Sequence, residues 1–190
     1  MCIRDRTITA ELLRAQGYTV HLGGNIGTPL FDRIADIRPD DFAVLELSSF
    51  QLHSMHCAPD VAIITNISPN HLDVHPDFED YVSAKCSIYR GQRPDGVLVL
   101  NARDAHTPRF AAEAPGSVRY FSSIGPVENG AYCSDGVIYR AHGGKAEKLI
   151  DVSDIRIPGA HNVENYMAAF AATDGCLLYT SPSPRDLSTS

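Results

Sequence analysis

Apolar residues follow two rhythms along this chain. Unbroken runs such as Phe42-Ala43-Val44-Leu45, Val61-Ala62-Ile63-Ile64 and Val97-Leu98-Val99-Leu100 are bounded by turn residues. Such runs mark strands buried on both faces of a parallel sheet. Elsewhere apolar positions recur at helical spacing. Ile8, Leu12 and Leu13 predict a helix over residues 7–16, stopped by Gly17. Phe78, Tyr81, Val82, Ile88 and Tyr89 predict another, opened by Asp77 as N-cap after Pro76. A third begins near His161, with Val163, Tyr166, Met167 and Phe170 as its apolar stripe. Strands are expected over 18–22, 42–47, 61–65, 96–101 and 118–122, with a short helix over 30–37. Residues 130–140 alternate around Asp135-Gly136, a hairpin signal, and 149–157 reads as a further extended segment. The fold class is therefore α/β: a mostly parallel sheet flanked by helices, with a small antiparallel β patch near 130–157.

Length and charge narrow the function classes. With 190 residues the chain allows one domain and a small appendage. A net charge of -7 argues against non-specific binding to nucleic acid or acidic membranes. No apolar run reaches the length of a membrane span. The five cysteines are scattered without C-x-x-C spacing, which fits a cytoplasmic protein better than a disulfide framework or zinc site. Cys86 reads as a small buried hydrophobe.

Three residues clash with their surroundings. Glu46 closes the run from Phe42, and His71 follows the run from Val61. In open α/β sheets, ligands bind beyond the carboxyl ends of such strands, so Glu46 and His71 belong at the rim of one crevice. Lys85 lies on the apolar stripe of its helix. A buried lysine loses its proton readily, and a neutral amine can take up CO2 as a carbamate; alternatively Lys85 snorkels to water. Asn25 sits in the turn Gly23-Gly24-Asn25-Ile26-Gly27, either approaching a ligand or occupying a left-handed turn position. Ser48, Ser49 and Gln51 cap a helix or bind substrate. Asn162 and Asn165, at i and i+3, suit a purine edge or anchor the helix start. His53-Ser54-Met55-His56-Cys57 lacks further paired ligands and reads as a solvated helix end. His75 and Asp73 read as loop-ordering groups.

Five blocks resemble one family in its order and spacing: Gly23–Gly27, Leu45-Glu46-Leu47-Ser48-Ser49-Phe50-Gln51-Leu52, Asn66-Ile67-Ser68-Pro69-Asn70-His71-Leu72-Asp73, Tyr81–Lys85 and Gly159–Asn165. Together they resemble the Mur ligases, over about Thr7 to Asp174. The Ser-Ser-Phe-Gln block is most similar to the branch that adds D-glutamate to UDP-N-acetylmuramoyl-L-alanine. The resemblance implies an ATP-dependent amide ligation through an acyl phosphate, with Mg2+ as the divalent metal, in peptidoglycan precursor synthesis. It further implies that Glu46 holds one Mg2+, and that His71 and carbamylated Lys85 hold a second. Asn25, Ser48 and Gln51 would meet the UDP-linked substrate, and Asn162 and Asn165 the adenine. A cytoplasmic, monomeric parent enzyme is expected.

The match has an edge. The family's Gly-Lys-Ser/Thr phosphate loop is expected just before Thr7, where Met1–Arg6 stands. Residues 1–6 and 176–190 resemble translated sequencing-adapter sequence. The expectation is an internal piece, a central ATP-binding domain over 7–174. The UDP-binding and C-terminal domains would be absent, and the piece inactive alone. The alternatives are another Mur or folylpolyglutamate-type ligase, or a non-catalytic nucleotide-binding domain.

Overall fold

Strand and helix alternate as the two rhythms require. The computed structural model describes residues 3–25, 30–68, 75–155 and 159–175. Helix α1 (Ile3–Ala15) leads into β1 (Val20–Gly24), a 3-10 turn over Phe31–Asp36, β2 (Phe42–Glu46) and α2 (Ser49–Ser54). Then come β3 (Val61–Ile64), α3 (Phe78–Arg90), β4 (Val97–Asn101), α4 (Thr107–Glu113) and β5 (Ser117–Ser122). Strands β6 (Gly130–Ser134), β7 (Val137–His142) and β8 (Lys145–Asp151), a 3-10 turn over Val152–Asp154 and α5 (Ala160–Thr173) complete it.

β1 and β2 form a parallel pair. The other six strands form one sheet in the order β3-β4-β5-β6-β7-β8, parallel through β6 and antiparallel after it. Strand β4 shows why the sheet needs helices on both faces. Leu98 and Leu100 pack with Tyr81, Val82 and Tyr89 of α3 and Phe110 of α4, while Val99 turns to the opposite face with Phe121 and with Met167 and Phe170 of α5. All of these side chains are buried. Each is worth about 1.5–3 kcal/mol in removed apolar surface. Asp77 caps α3 as expected: its Oδ1 accepts from the Asp80 amide at 2.8 Å.

Three expectations need correction. Helix α1 begins at Ile3, because residues 3–6 contain no breaker and Arg6 Nη1 donates to the Gly23 carbonyl at 2.9 Å. Strand β2 is not buried on both faces: among the described residues it pairs with β1 alone, and Leu45 is 47% exposed. The extended segment expected over 149–157 is β8, which starts at Lys145 and gives way to a 3-10 turn at Val152. Gly143 and Gly144, at φ of 56° and 75°, make a second two-residue reversal. The first reversal, Asp135-Gly136 at 50° and 74°, is the expected one. The antiparallel patch expected near 130–157 is β6–β7–β8, and β6 joins it in parallel to β5.

The β1–β2 pair is fastened at its outer end. His21 Nε2 lies 2.9 Å from Asp41 Oδ2, which also accepts the Arg38 amide at 3.0 Å. That amide first, and then the His21 ring, hold the Asp41 carboxyl below its ordinary range. A carboxylate favoured in the folded state stabilises above the unfolded value of about 3.9, and this contribution is lost as pH falls through the lower folded value. Asp41→Asn is expected to lower the denaturant midpoint at pH 7 and to flatten its fall below about pH 4. Midpoints at pH 7 and pH 3 check this.

Candidate active site

Strands β1 and β2 meet at their carboxyl ends through a glycine. Gly24 has φ of +119°, and a Cβ there would fall inside the Glu46 backbone. The Asn25 amide donates to the Glu46 carbonyl at 2.7 Å. Gly24 thus takes the left-handed conformation that the sequence also allowed for Asn25; among the described residues Asp135 is the one non-glycine at positive φ. Immediately after Glu46 the chain turns into α2 through a capping box. Gln51 N donates to Ser48 Oγ at 3.3 Å, and Gln51 Oε1 accepts from Ser48 N at 2.9 Å. Both residues therefore cap the helix.

A cavity of ≈ 240 Å³ opens beyond these strand ends. Asn25, Glu46 and Ser48 line it from the β1–β2 side, and Thr65 and Asn66 line it from the end of β3. Helix α1 contributes Arg6 and Thr9, and α3 contributes Tyr81 and Lys85. The end of β3 is held by β4 and the turn after it. Asn101 Nδ2 donates to the Thr65 carbonyl at 3.2 Å, and Asp104 Oδ2 accepts the Ile67 amide at 2.6 Å.

The charges in the cavity are uneven. Burial pushes the Lys85 amine below the ordinary lysine range, and the negative charge of Glu46 works the other way. The two groups are thus near enough to couple. The Lys85 Nζ stands 5.9 Å over the Tyr81 ring, one turn earlier on α3. Lys85 is half-buried and lines the cavity. Glu46 Oε2 is buried and has no hydrogen-bond partner among the described residues. A buried carboxylate oxygen in that state costs free energy unless a cation or donor meets it.

The other expected site residues fall differently. His71 and Asp73 lie outside the described residues. Gln51 does not line the cavity and serves Ser48 instead. Asn162 and Asn165 do not line it either: they are buried on α5, at 2% and 6% exposure. Helix α5 is covered on nearly every side, which a one-sided stripe does not anticipate. His53 is exposed and pairs with Asp80 at 3.3 Å. Among the described residues, no cluster of three or more His, Cys, Asp or Glu side chains could hold a metal. Arg6, Thr9 and Tyr81 were not anticipated as lining. Arg6 and Thr9, at i and i+3 on α1, share one helix face and carried the available signal.

The family model for the Mur ligase middle domain matches residues 6–173. The chain belongs to the Mur ligase family. It is 49% identical over 171 residues to the UDP-N-acetylmuramoylalanine--D-glutamate ligase of Acetivibrio thermocellus, covering 90% of this chain and 37% of that enzyme. It is 47% identical over 167 residues to the Clostridium botulinum (strain Alaska E43 / Type E3) enzyme of the same name, covering 88% and 36%. The chain thus spans little more than a third of the length of these relatives. Among solved Mur ligases, a UDP-N-acetylmuramoyl-L-alanyl-D-glutamate--2,6-diaminopimelate ligase superposes with a TM-score of 0.69 at 21% identity, covering 96% of this chain and 42% of that one. The MurF ligase of Thermotoga maritima in complex with ADP gives 0.60 at 19% identity, covering 97% and 46%. These likenesses establish the Mur ligase fold. Among the described residues no helix is long and apolar enough to cross a membrane.

Proposed function

We propose that this domain is the ATP-using centre of a longer ligase that adds D-glutamate to UDP-N-acetylmuramoyl-L-alanine. The observation that carries the reading is the pairing of a half-buried Glu46, whose Oε2 is buried without a hydrogen-bond partner among the described residues, and a Lys85 amine lowered by burial, in one cavity beyond the strand ends. The relatives at 47–49% identity bear that activity in their names.

In the proposed reaction the substrate carboxylate takes the γ-phosphoryl group of ATP. The D-glutamate amine attacks the acyl phosphate, and phosphate leaves from the tetrahedral intermediate. Magnesium fits the donors present: the unpartnered Glu46 oxygen suits a hard cation. Lys85, held toward the neutral amine by burial, adds CO2, loses a proton and presents a carbamate, a second oxygen donor. Glu46 would hold one ion, and carbamylated Lys85 with His71 the other. When bound, the ions neutralise phosphate charge and polarise the acyl oxygen. Asn25 and Ser48 face the cavity and would orient the UDP-linked substrate, with Gln51 acting through its hold on Ser48. Asn162 and Asn165 would meet adenine. The parent is read as a cytoplasmic monomer.

A chimera tests this. The matching 171-residue stretch of the Acetivibrio thermocellus enzyme is replaced by this chain's own, and ADP release is followed with both substrates present. The expected result is D-glutamate-dependent turnover within about tenfold of the host, falling on the order of 10²–10³-fold in Glu46→Gln. A folded chimera that turns over another amino acid, or none, overturns the reading.

A further inference from the structure

His75 is 5% exposed, yet both its ring nitrogens are engaged. Nδ1 lies 2.7 Å from Asp80 Oδ2, and Nε2 lies 3.0 Å from Ser49 Oγ. The hydrogen bond from His75 is the main cause that holds the Asp80 carboxyl below its ordinary range. An ionised carboxylate only accepts, so Nδ1 carries the proton toward Asp80, and Nε2 shares the second hydrogen bond with the Ser49 hydroxyl. The ring is also clamped by its neighbours. Phe50 stacks on it at 5.4 Å and 14°, and Tyr81 meets it edge-on at 5.4 Å and 80°.

These partners come from two elements. Ser49 and Phe50 open α2, three and four residues after Glu46. Asp80 and Tyr81 lie in the first turns of α3, at most five residues before Lys85. His75 itself does not line the cavity. The order Ser49–His75–Asp80 is that of a hydrolytic triad, but Ser49 is 2% exposed and the ring is covered by Phe50 and Tyr81. A buried, fully satisfied polar chain of this kind fixes the elements it joins.

We propose that His75 is a positioning residue: it brackets the start of α2 against the start of α3 and so sets the separation of Glu46 and Lys85. This rests on the reading of those two residues as the working pair.

The test uses the 190-residue chain and cyanate, which carbamoylates neutral amines. Its three lysines give internal references, since Lys145 and Lys148 are exposed. In the native chain Lys85 is expected to react faster than Lys145 by mass spectrometry. Glu46→Gln should raise that ratio, because the carboxylate favours the charged amine. His75→Phe keeps the ring contacts and removes both hydrogen bonds. With α2 loosened from α3 the Lys85 amine meets water and regains its charge, which outweighs the lost Glu46 contact; the ratio should fall by about tenfold, the effect of one pKa unit, and lose its response to Glu46→Gln. His75→Gln, whose amide can donate to Asp80 and accept from Ser49, should restore both.

Ser49→Ala, the milder lesion, should give a partial loss and serves if His75→Phe does not fold. In the ligase chimera, His75→Phe should raise the Mg2+ needed for half-maximal rate and lower kcat, with KM for the UDP-linked substrate within about twofold. A folded His75→Phe or Ser49→Ala chain with native ratio and native response to Glu46→Gln overturns the proposal. An inactive but folded wild-type chimera overturns the ligase reading alone, since the cyanate ratios stand without turnover.

Discussion

Replacing Lys85 with Met is expected to abolish ligation by the chimera while making the domain more stable. Methionine keeps the unbranched apolar stem that packs along Tyr81 and removes the amine that burial disfavours. The expected gain is about 1 kcal/mol, or roughly 2–4 °C in melting temperature for a chain of this size. Its pH dependence follows from linkage. The folded Lys85 value is depressed, so between that value and the unfolded one the unfolded chain binds the extra proton and stability rises with pH. The advantage of Lys85→Met is therefore largest near neutrality and disappears above about pH 10.4. Activity should move the other way, falling at least about 10³-fold, because methionine can form no carbamate. Thermal melts at pH 7.5 and pH 10.5, beside ADP release, check both halves. Lost activity with lost stability would make Lys85 a packing residue.

Gly24→Ala should be the most damaging single-methyl change in the chain's first half. The position is doubly restricted: φ is +119°, and the added Cβ would enter the backbone of Glu46. Strain at such a φ costs on the order of 1–3 kcal/mol, and a backbone collision adds about as much. A total near 3 kcal/mol or more is expected. The damage should be local in kind, since Gly24 pairs directly with Glu46 in the β1–β2 register and Asn25 hydrogen-bonds to the Glu46 carbonyl. Lys85 should lose its sensitivity to Glu46→Gln in the cyanate experiment, while hydrogen exchange in β4 and β5 stays near native. Ala at Gly17, where an added Cβ meets nothing within 4 Å, is the control for positive φ without collision.

What could be read from the chain depended on the range of the interaction. Local signals served well: Asp77 caps α3, Asp135-Gly136 turns the hairpin, and the run 97–100 forms β4, an inner strand with Leu98, Val99 and Leu100 buried. Period alone could not tell that β2, among the described residues, lies beside one partner only, because a run of apolar residues looks the same at an edge. Nor did it locate β8, since the Gly143-Gly144 reversal leaves charged residues, Lys145, Glu147 and Lys148, facing water along the strand. Glu46 and Lys85 were legible as residues out of keeping with their neighbours. The sequence could not show what held them together. His75 joins Ser49 to Asp80 across 26 and 5 residues, a pairing that exists only once α2 packs on α3. Arg6 fell within the residues read as foreign and so was not weighed as a lining residue, though it lines the cavity.

The most direct measurement of the central claim is anomalous scattering from crystals of the chimera grown with Mn2+, ADP and bicarbonate. The account predicts manganese at about 2.1–2.3 Å from a Glu46 carboxylate oxygen, a distance usual for hard divalent ions. It also predicts a second manganese on the oxygens of a carbamate carried by Lys85. Manganese elsewhere, with Lys85 an unmodified amine turned away from Glu46, would contradict it.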